Sequence, residues 1–589
     1  MDNVEIARTL EEIADILEIQ NENPFRIRAY RNAARSVSVV MKPLRRMVEE
    51  GERLTDLQGI GKEMANHIRE MVETGTLAYR DQLLAEVPRS LIDLVRLPGV
   101  GPKKAKKLWD ELGICSVEEL ETAAKEGRIA SVAGFGAKTQ EKILAGIAEH
   151  RQHAARQLLA DAERSVEPLL AYLRDVPGVE RVEVAGSYRR RRETVGDIDL
   201  LAIATPETGN GPVMRAFLEY PQRDKVLMSG DTRSTITLGS GLQVDLRAVP
   251  PECYGAALVY FTGSKEHNVK LRRRGVERGL RISEYGVFRE DAGAAKGEGI
   301  FHGERIGGAT EEEVYAAVGL AWIPPELRED QGEIEAAAAG RLPRLIELED
   351  LHGDLHMHSV WSDGRNTVEE MVEACAAHGY EYMVISDHSK ALAMTNGLDA
   401  YRLRLQWAEI NAVQARHPEI RILKAMEVDI LADGSLDLED EMLAGLDLVL
   451  VSLHSRLEMP EAEQTERVLR ALDHPEVNVF CHPTARLINR RRPAEMDIER
   501  VLRRAAERGV AVELNSNPHR LDLKDTHLRL AKELGCKVVI STDSHRTTEL
   551  DLMRFGIEQA RRAGLGPGDV LNALPWPDFA QAVGWRGVR

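Results

Sequence analysis

Along residues 1–150 apolar positions recur at helical spacing in short runs, as in MDNVEIARTLEEIADILEI, which predicts a series of short amphipathic helices. Near residues 180–250 the pattern changes to compact apolar runs, VERVEVAG, DIDLLAIA, STITL and LQVDLRAV, which read as strands. Residues 251–320 are mixed. The stretch 321–350, AWIPPELREDQGEIEAAAAGRLPRLIELED, is rich in Pro, Ala and Glu and reads as an acidic linker with some mobility. Beyond it helical segments alternate with YMVIS, IRILKAME, LDLVLVS, VNVF, VAVEL and CKVVIS. That repeated strand–helix unit predicts a parallel barrel.

The 589 residues exceed what one hydrophobic core can hold, so several domains are expected. The balance of 43% hydrophobic and 30% charged residues is that of a soluble globular protein. No apolar run reaches the roughly 18 residues that a membrane span needs, and the acidic N-terminus does not suit a secretory signal. Cysteines 115, 253, 375, 481 and 536 are scattered without a CxxC pair. That argues against a disulfide frame or a cysteine zinc cluster and for a reducing, cytoplasmic setting. The net charge of −18 looks wrong for a nucleic-acid binder until it is divided. Residues 1–300 carry 45 Lys and Arg against 46 Asp and Glu, so almost all the excess acid lies in the second half. Basic clusters in the first half leave DNA binding open there.

Three segments share one pattern: LTDLQGIGKEMANHI, LVRLPGVGPKKAKKL and IASVAGFGAKTQEKI. Each has two glycines around one apolar residue, Gly59/Gly61, Gly99/Gly101 and Gly134/Gly136, and then a helix start. Glycine lets the backbone turn tightly, and the following helix N-terminus offers unpaired N–H groups to a phosphate. The alternative is a set of ordinary helix–helix turns. Lys103, Lys104, Lys106 and Lys107 follow the second pair and are placed to lie along phosphates.

In VEVAGSYRRRRETVGDIDLLAIA, Asp197 and Asp199 stand two apart on a strand and so share one face. Asp245 in LQVDLRAV is a third carboxylate on another strand. Three converging aspartates repel one another unless cations lie between them, and oxygen ligands of this kind suit Mg²⁺ or Mn²⁺. Two such ions can serve in-line phosphoryl transfer. Gly186, Ser187 and Arg190 lie just upstream, where a small turn would cradle a triphosphate. The alternative, an exposed edge strand guarded by aspartates, leaves the Arg-rich turn unexplained.

After residue 350 the histidines and carboxylates fall at strand ends. His356 and His358 form an HxH, with Asp363 in the loop that follows. His388, Glu427, His454 and His482 each close or follow an apolar run, as do Asp543 and His545. The C-terminal ends of barrel strands converge, so these residues are expected to meet. Mixed His, Asp and Glu donors without cysteine suit two or three Zn²⁺, Mn²⁺ or Fe²⁺ ions, with Glu427 able to bridge. Cys481 reads as packing, and Arg486 and Asn515 as candidates for contacting a substrate phosphate.

The segment GSYRRRRETVGDIDLL resembles the nucleotidyltransferase signature of the family X DNA polymerases, the DNA polymerase beta group. YFTGSKEHNVKLRRRG and GLRISEYGVF resemble the nucleotide-pocket segments of that family, and the glycine turns its helix-hairpin-helix motifs. The C-terminal set resembles the polymerase-and-histidinol-phosphatase (PHP) family. The resemblance implies a multidomain chain: helix-hairpin-helix modules, an α/β nucleotidyltransferase palm and thumb, and a distorted (βα)7 TIM-like PHP barrel. Its boundaries would be a lyase-like DNA-binding domain over 1–85, fingers over 86–150, palm over 151–250, thumb over 251–320, linker over 321–350 and PHP domain over 351–589.

By the same likeness Asp197, Asp199 and Asp245 would be catalytic metal ligands, and Ser187 and Arg190 would bind the triphosphate. Tyr260, Phe261 and Gly263 would lie along the sugar, Asn268 at the base edge and Arg272 near the template. One ion would take His356, His358, Glu427 and Asp543, a second Glu427, His454 and His482, a third Asp363, His388 and His545. The sequence departs from the beta group at Arg191, where that group has glycine, and at His267, where it has an aromatic ring. It departs again in the first hairpin, where His67 falls at the lyase nucleophile and Glu63 at the 5′-phosphate grip. The implied function is DNA-directed polymerisation from deoxynucleoside triphosphates at gapped or primer-template DNA, by a monomer in base-excision repair. A PHP-borne 3′–5′ exonuclease, with activity at abasic sites also open, would accompany it. Two alternatives stand beside it: a polymerase fused to a small-molecule phosphomonoesterase, and a DNA-binding scaffold with only the nuclease active.

Overall fold

The computed structural model describes residues 3–585 apart from 21, 40–43, 58–59, 89, 92–93, 95–99, 101, 130–131, 133–134, 137–139, 141–142, 145–146, 148–155, 206–207, 290–303 and 393–394. It divides into two compact units, Met1–Ala155 and Arg156–Arg589.

The first unit is helical, as the 3.6-residue pattern requires. Asn3–Ile19 and Pro24–Val39 bury Ile6, Leu10, Ile13 and Leu17 against Tyr30, Ala33 and Val37. The helix Lys62–Thr74 starts directly after Gly61, buries Met64, Ala65, Ile68, Met71 and Val72, and stops at Gly75, whose φ of 74° is the left-handed cap that favours glycine. A capping box of Ser116 and Glu119 opens Val117–Lys125. One hydrophobic cluster runs from Ile6 to Ile147, crossing the expected boundary at residue 85 without a break in packing. Of the six turn glycines, Gly61 and Gly136 are described. Gly59, Gly99, Gly101, Gly134 and the Lys103 side chain lie outside the described residues. Lys106 and Lys107 pair with Asp110 and Glu111 one helical turn on, and Lys104 lies over the Phe135 ring.

The second unit opens with a five-stranded sheet in the order Val179–Val184, Asp197–Ala204, Gln243–Ala248, Arg233–Leu238, Arg223–Met228. Only the pair Asp197–Ala204 and Gln243–Ala248 is parallel. Alternation along Asp197–Ala204 sends Ile198, Leu200 and Ala202 to the helices Leu159–Arg174 and Gly211–Leu218. Leu201 and Ile203 go to the other face, under Tyr254, Ala257 and Leu258 of the helix Tyr254–Thr262. Asp197 and Asp199 share that second face. Helix Lys265–Val276 and the antiparallel strands Leu280–Ser283, Gly286–Arg289 and Arg305–Gly307 complete this part.

The stretch 321–350 is packed, which corrects the expectation of a mobile linker. Arg328 is fully buried and holds Glu311 through two bonds of 2.7 and 3.0 Å. Glu333, in the helix Glu333–Ala338, bonds His267 at 2.6 Å. Glu329 and Glu333 are consumed as ion-pair partners in the interior while Glu347 and Glu349 stay exposed, a division that composition does not show.

The remaining chain forms seven parallel strands in sequence order: Gly353–Asp354, Tyr382–Ile385, Arg421–Asp429, Leu448–Ser452, Val477–Phe480, Ala511–Asn515 and Val538–Ser541. A parallel bridge of Met357 with Ser544, and His358 N–H donating to Ser544 O at 2.8 Å, bring first and last strands together into a nearly closed barrel. Period-two alternation decides the interior. Ile422, Met426 and Val428 face outward to the helices, whereas Leu423 and Ala425 face inward with Tyr382, Val384, Leu450, Val479 and Val539. Phe579 of the helix Trp576–Ala582 fills the floor of this inner cluster. Among the described residues no helix is long and apolar enough to cross a membrane.

Candidate active sites

The inward columns of the barrel change character at their C-terminal ends. Leu423 and Ala425 are followed on the same face by Glu427, Val539 and Ser541 by Asp543, and Tyr382 and Val384 by Ser386 and His388. The apolar lower layers are the packed core; the upper layer is imidazole and carboxylate.

Glu427 stands at the centre, fully enclosed. Its Oε1 lies 2.9 Å from His482 Nε2 and 3.4 Å from His454 Nε2. Its Oε2 lies 2.8 Å from His388 Nδ1, 3.4 Å from His356 Nε2 and 3.6 Å from His358 Nε2. Asp543 Oδ1 is 3.1 Å from His358 Nε2, and Asp363 Oδ1 is 3.4 Å from His545 Nε2 and 3.7 Å from His388 Nε2. Potential ligand atoms gather within 4.8 Å of one another in His358/Asp363/His388/His545, His356/His358/Asp543 and His388/Glu427/His454. The grouping differs from the partition implied by the likeness: His358 also joins the set around Asp363, His388 stands in place of His482 beside Glu427 and His454, and Glu427 is not grouped with His356, His358 and Asp543.

These residues fit divalent ions. Both Glu427 oxygens, His358 Nδ1 and His482 Nδ1 are buried without a hydrogen-bond partner, an arrangement that costs free energy unless a cation engages such groups. Burial alone would raise the Glu427 carboxyl, yet His388, His454 and His356 hold it well below the usual range. Burial, then His545 and His388, push His358 down to about 3, which leaves its imidazole neutral and able to ligate. His482 and Asp543 have φ of 26° and 55°, strained values for non-glycine residues at a site.

Several members of the site were not read from the sequence. Glu513, one alternation above Ala511, receives His356 Nδ1 at 2.7 Å, Ser541 Oγ at 2.7 Å and His482 N–H at 2.5 Å. It orients ligands from behind. Cys481 closes a further group with His356 and Glu513, but burial holds its thiol well above the usual value, in keeping with packing. Arg520 Nε lies 3.7 Å from Asp543 Oδ2, and its Nη1 is buried without a hydrogen-bond partner. Two expectations are corrected. Arg486 is spent on Glu193 at 2.6 Å and on backbone oxygens, and Asn515 donates to Asp543 Oδ2 at 3.0 Å, so both hold protein groups.

The second site lies on the five-stranded sheet. A cavity of about 630 Å³ is lined by Asp197, Asp199, Gly186, Ser187, Arg190, Tyr260, Phe261, Gly263, Asn268 and Arg272. Arg156, Arg192 and Lys265 join them and add positive charge that the sequence reading missed. Asp245 does not line the cavity. It sits beside Asp199 in register, taking Thr235 Oγ1 at 2.5 Å, Arg233 Nη2 at 3.2 Å and Gln243 Nε2 at 3.0 Å. Burial, then Asp197 and Asp245, raise Asp199 to about 6, the mark of an anion cluster awaiting positive charge. Gly186 has φ 65°, and a Cβ there would stand 3.0 Å from Asp199 Oδ2, so only glycine brings the turn this close.

Arg190 donates Nε to Glu329 at 3.0 Å and Nη1 to Thr262 O. His267 turns away from the cavity, bonded to Glu333 and to Tyr315 Oη at 2.9 Å. Asn268 donates to Tyr260 O at 2.7 Å, and Arg272 to Asn268 O at 3.3 Å. Arg191 adopts φ 55°, which accounts for glycine at this place in the beta group; an L-residue there costs about 1 kcal/mol.

Comparison with known proteins agrees with this geometry. Family models match a helix-hairpin-helix domain over residues 1–77, a SAM-like helix-hairpin-helix tandem over 91–149, the DNA polymerase beta thumb over 257–329 and the PHP domain over 354–517. The thumb match runs past residue 320 into the packed stretch. The chain is 41% identical over 580 residues to "DNA polymerase/3'-5' exonuclease PolX" of Bacillus subtilis (strain 168), covering 98% of both proteins. It is 26% identical over 301 residues to DNA polymerase lambda of Arabidopsis thaliana, covering 48% of this chain and 54% of that protein. A probable phosphatase of Acetivibrio thermocellus matches 33% of this chain and 80% of its own length at 32% identity. With hairpins, thumb and PHP barrel in one order and one relative matched nearly end to end, the chain belongs to the family X DNA polymerases that carry a C-terminal PHP domain.

Proposed function

We propose that this polymerase fills short gaps in DNA and that its barrel is a metal-dependent nuclease that removes nucleotides from 3′ ends. In the palm, Asp197 and Asp199, with Asp245 behind them, would hold Mg²⁺ or Mn²⁺. Ser187, Arg190 and the Gly186 turn would receive the triphosphate, with Tyr260, Phe261 and Gly263 along the sugar. Asn268 would lie at the base edge and Arg272 near the template. Gly59, Gly61, Gly99, Gly101, Gly134, Gly136, Lys103 and Lys104 would grip the DNA backbone without reading sequence.

In the barrel His356, His358, Asp363, His388, Glu427, His454, His482, Asp543 and His545 would hold two or three ions of Zn²⁺, Mn²⁺ or Fe²⁺. Bound there, such ions supply a hydroxide nucleophile at neutral pH and stabilise charge on phosphate oxygens. The protein's part is to keep the His358 imidazole neutral, to set Glu427 between two histidine groups, and to orient His356 through Glu513. Arg520, beside Asp543, is placed to meet a substrate phosphate.

The observation that carries the nuclease reading is Glu427, whose two oxygens face separate histidine sets. The near end-to-end likeness to a protein named both polymerase and 3′–5′ exonuclease favours DNA ends over a small phosphate ester. The test exchanges the two sites. Asp197→Ala with Asp199→Ala should abolish extension of a gapped primer and spare 3′-end degradation. His356→Ala with His358→Ala should do the reverse and lower bound metal. Wild-type extension by the first pair, or unchanged metal in the second, would refute the assignment. Hydrolysis of histidinol phosphate with inert DNA ends would favour the phosphomonoesterase.

A further inference from the structure

The turn that follows the short helix Gly186–Arg189 is held from the barrel side. Arg562 ends the barrel helix Met553–Arg562 and is almost wholly buried. Its Nη1 donates to the backbone oxygen of Arg190 at 2.6 Å and to Glu329 Oε1 at 3.1 Å. Its Nη2 is anchored on Asp525 Oδ2 at 2.7 Å. The same Glu329 Oε1 accepts Arg190 Nε at 3.0 Å, and Glu329 Oε2 lies 3.6 Å from Arg192 Nη1.

The next residues are tied in the same direction. Arg191 pairs with Glu163 at 2.9 Å and with Glu558 of the barrel. Glu193 takes Arg486 of the barrel at 2.6 Å. A buried guanidinium is tolerated only when its donors are satisfied. Two of the three acceptors of Arg562 belong to the polymerase, so the barrel alone does not explain this residue.

We infer that Arg562 of the barrel is a positioning residue for the polymerase, fixing the Arg190 carbonyl and the Glu329 carboxylate that aims the Arg190 guanidinium at the cavity. The inference rests on the proposal that Gly186–Arg190 receives the triphosphate. It makes nucleotide affinity depend on a side chain of the other domain. It also accounts for Arg191, where the beta group has glycine: the left-handed residue gains a barrel partner in Glu558.

The test is steady-state filling of a one-nucleotide gap by full-length variants, with melting temperature, metal content and 3′-end degradation measured alongside. Arg562→Gln should raise KM for the nucleotide about tenfold with kcat within about twofold, leaving barrel metal and degradation intact. Arg562→Lys should recover part of the loss, since an ammonium reaches some of these acceptors without the guanidinium fork. Arg561→Gln breaks a neighbouring pair with Glu326 at 2.8 Å that does not touch the turn, and should leave KM unchanged.

Arg190→Gln separates the two layers. If it leaves KM unchanged, the triphosphate reading itself fails. If it raises KM while folded Arg562→Gln does not, the inference is overturned. An equal rise in Arg561→Gln would overturn it too, by showing general loss of the interface. Should Arg562→Gln not fold, Asp525→Asn, which loosens the barrel-side anchor of Arg562 and leaves the turn's own residues unchanged, should raise KM about threefold; an unchanged KM overturns the inference.

Discussion

Glu427→Gln is the sharpest perturbation of the barrel. Glutamine keeps the shape of the buried side chain, so the fold should stand. It removes the one charge shared by two histidine sets and turns an NH₂ donor toward either His454 and His482 or His356, His358 and His388. Losing a group that merely orients a ligand costs ~10–100-fold in metal affinity. Glu427 faces two sets at once, so at least about 100-fold is expected, equivalent to about 2.8 kcal/mol. Elemental analysis after gel filtration should show at least one ion fewer per chain. Degradation of a 3′ end at limiting Mn²⁺ should fall by about two orders of magnitude, while gap filling by the same preparation stays within about twofold. Full metal content with an unchanged degradation rate would refute the bridging role.

Glu513→Gln should weaken metal binding by about 10–100-fold through the orientation of His356; an unchanged Mn²⁺ titration of 3′-end degradation would exclude that role. Asp199, raised to about 6, carries a proton below that pH and cannot then ligate. Gap filling should therefore decline as pH falls through about 6, and more Mg²⁺ should move the decline to lower pH because metal and proton compete for the same oxygens. A limb indifferent to Mg²⁺ concentration would count against the assignment. Residues 1–90 should show little deoxyribose-phosphate lyase activity. The position aligned with the nucleophile is His67, bonded to Tyr30 Oη at 3.1 Å and stacked on Tyr30 and Tyr79, and an imidazole cannot form the required imine. Efficient borohydride trapping on a 5′-deoxyribose-phosphate end, mapped to this segment, would overturn that expectation.

Much of the chemistry was legible because it repeats or alternates. Asp197 and Asp199 share a face by the two-residue period of a strand, and one histidine or carboxylate after another closes an apolar run in residues 351–589. Such patterns are local, so the chain carries them without reference to its fold. Glu513 and Arg520 carry no such mark. Glu513 is one glutamate in VAVEL, and only closure of the barrel sets it behind His356. Arg156, Arg192 and Lys265 likewise reach the polymerase cavity from separate elements.

By itself the sequence determined the order of the modules, the strand and helix periods, and the residue types able to hold metal. Tertiary structure alone decided which charges are spent on protein and which face a site. The Pro-, Ala- and Glu-rich stretch 321–350 looked solvated, but Arg328, Glu329 and Glu333 find partners in Glu311, Arg190 with Arg562, and His267. Arg486 looked free for phosphate and is held by Glu193, 293 positions away. A charged residue reads the same in a one-dimensional pattern whether water or a distant counter-ion satisfies it. Its partner is chosen by burial and by the packing of elements far apart in the chain.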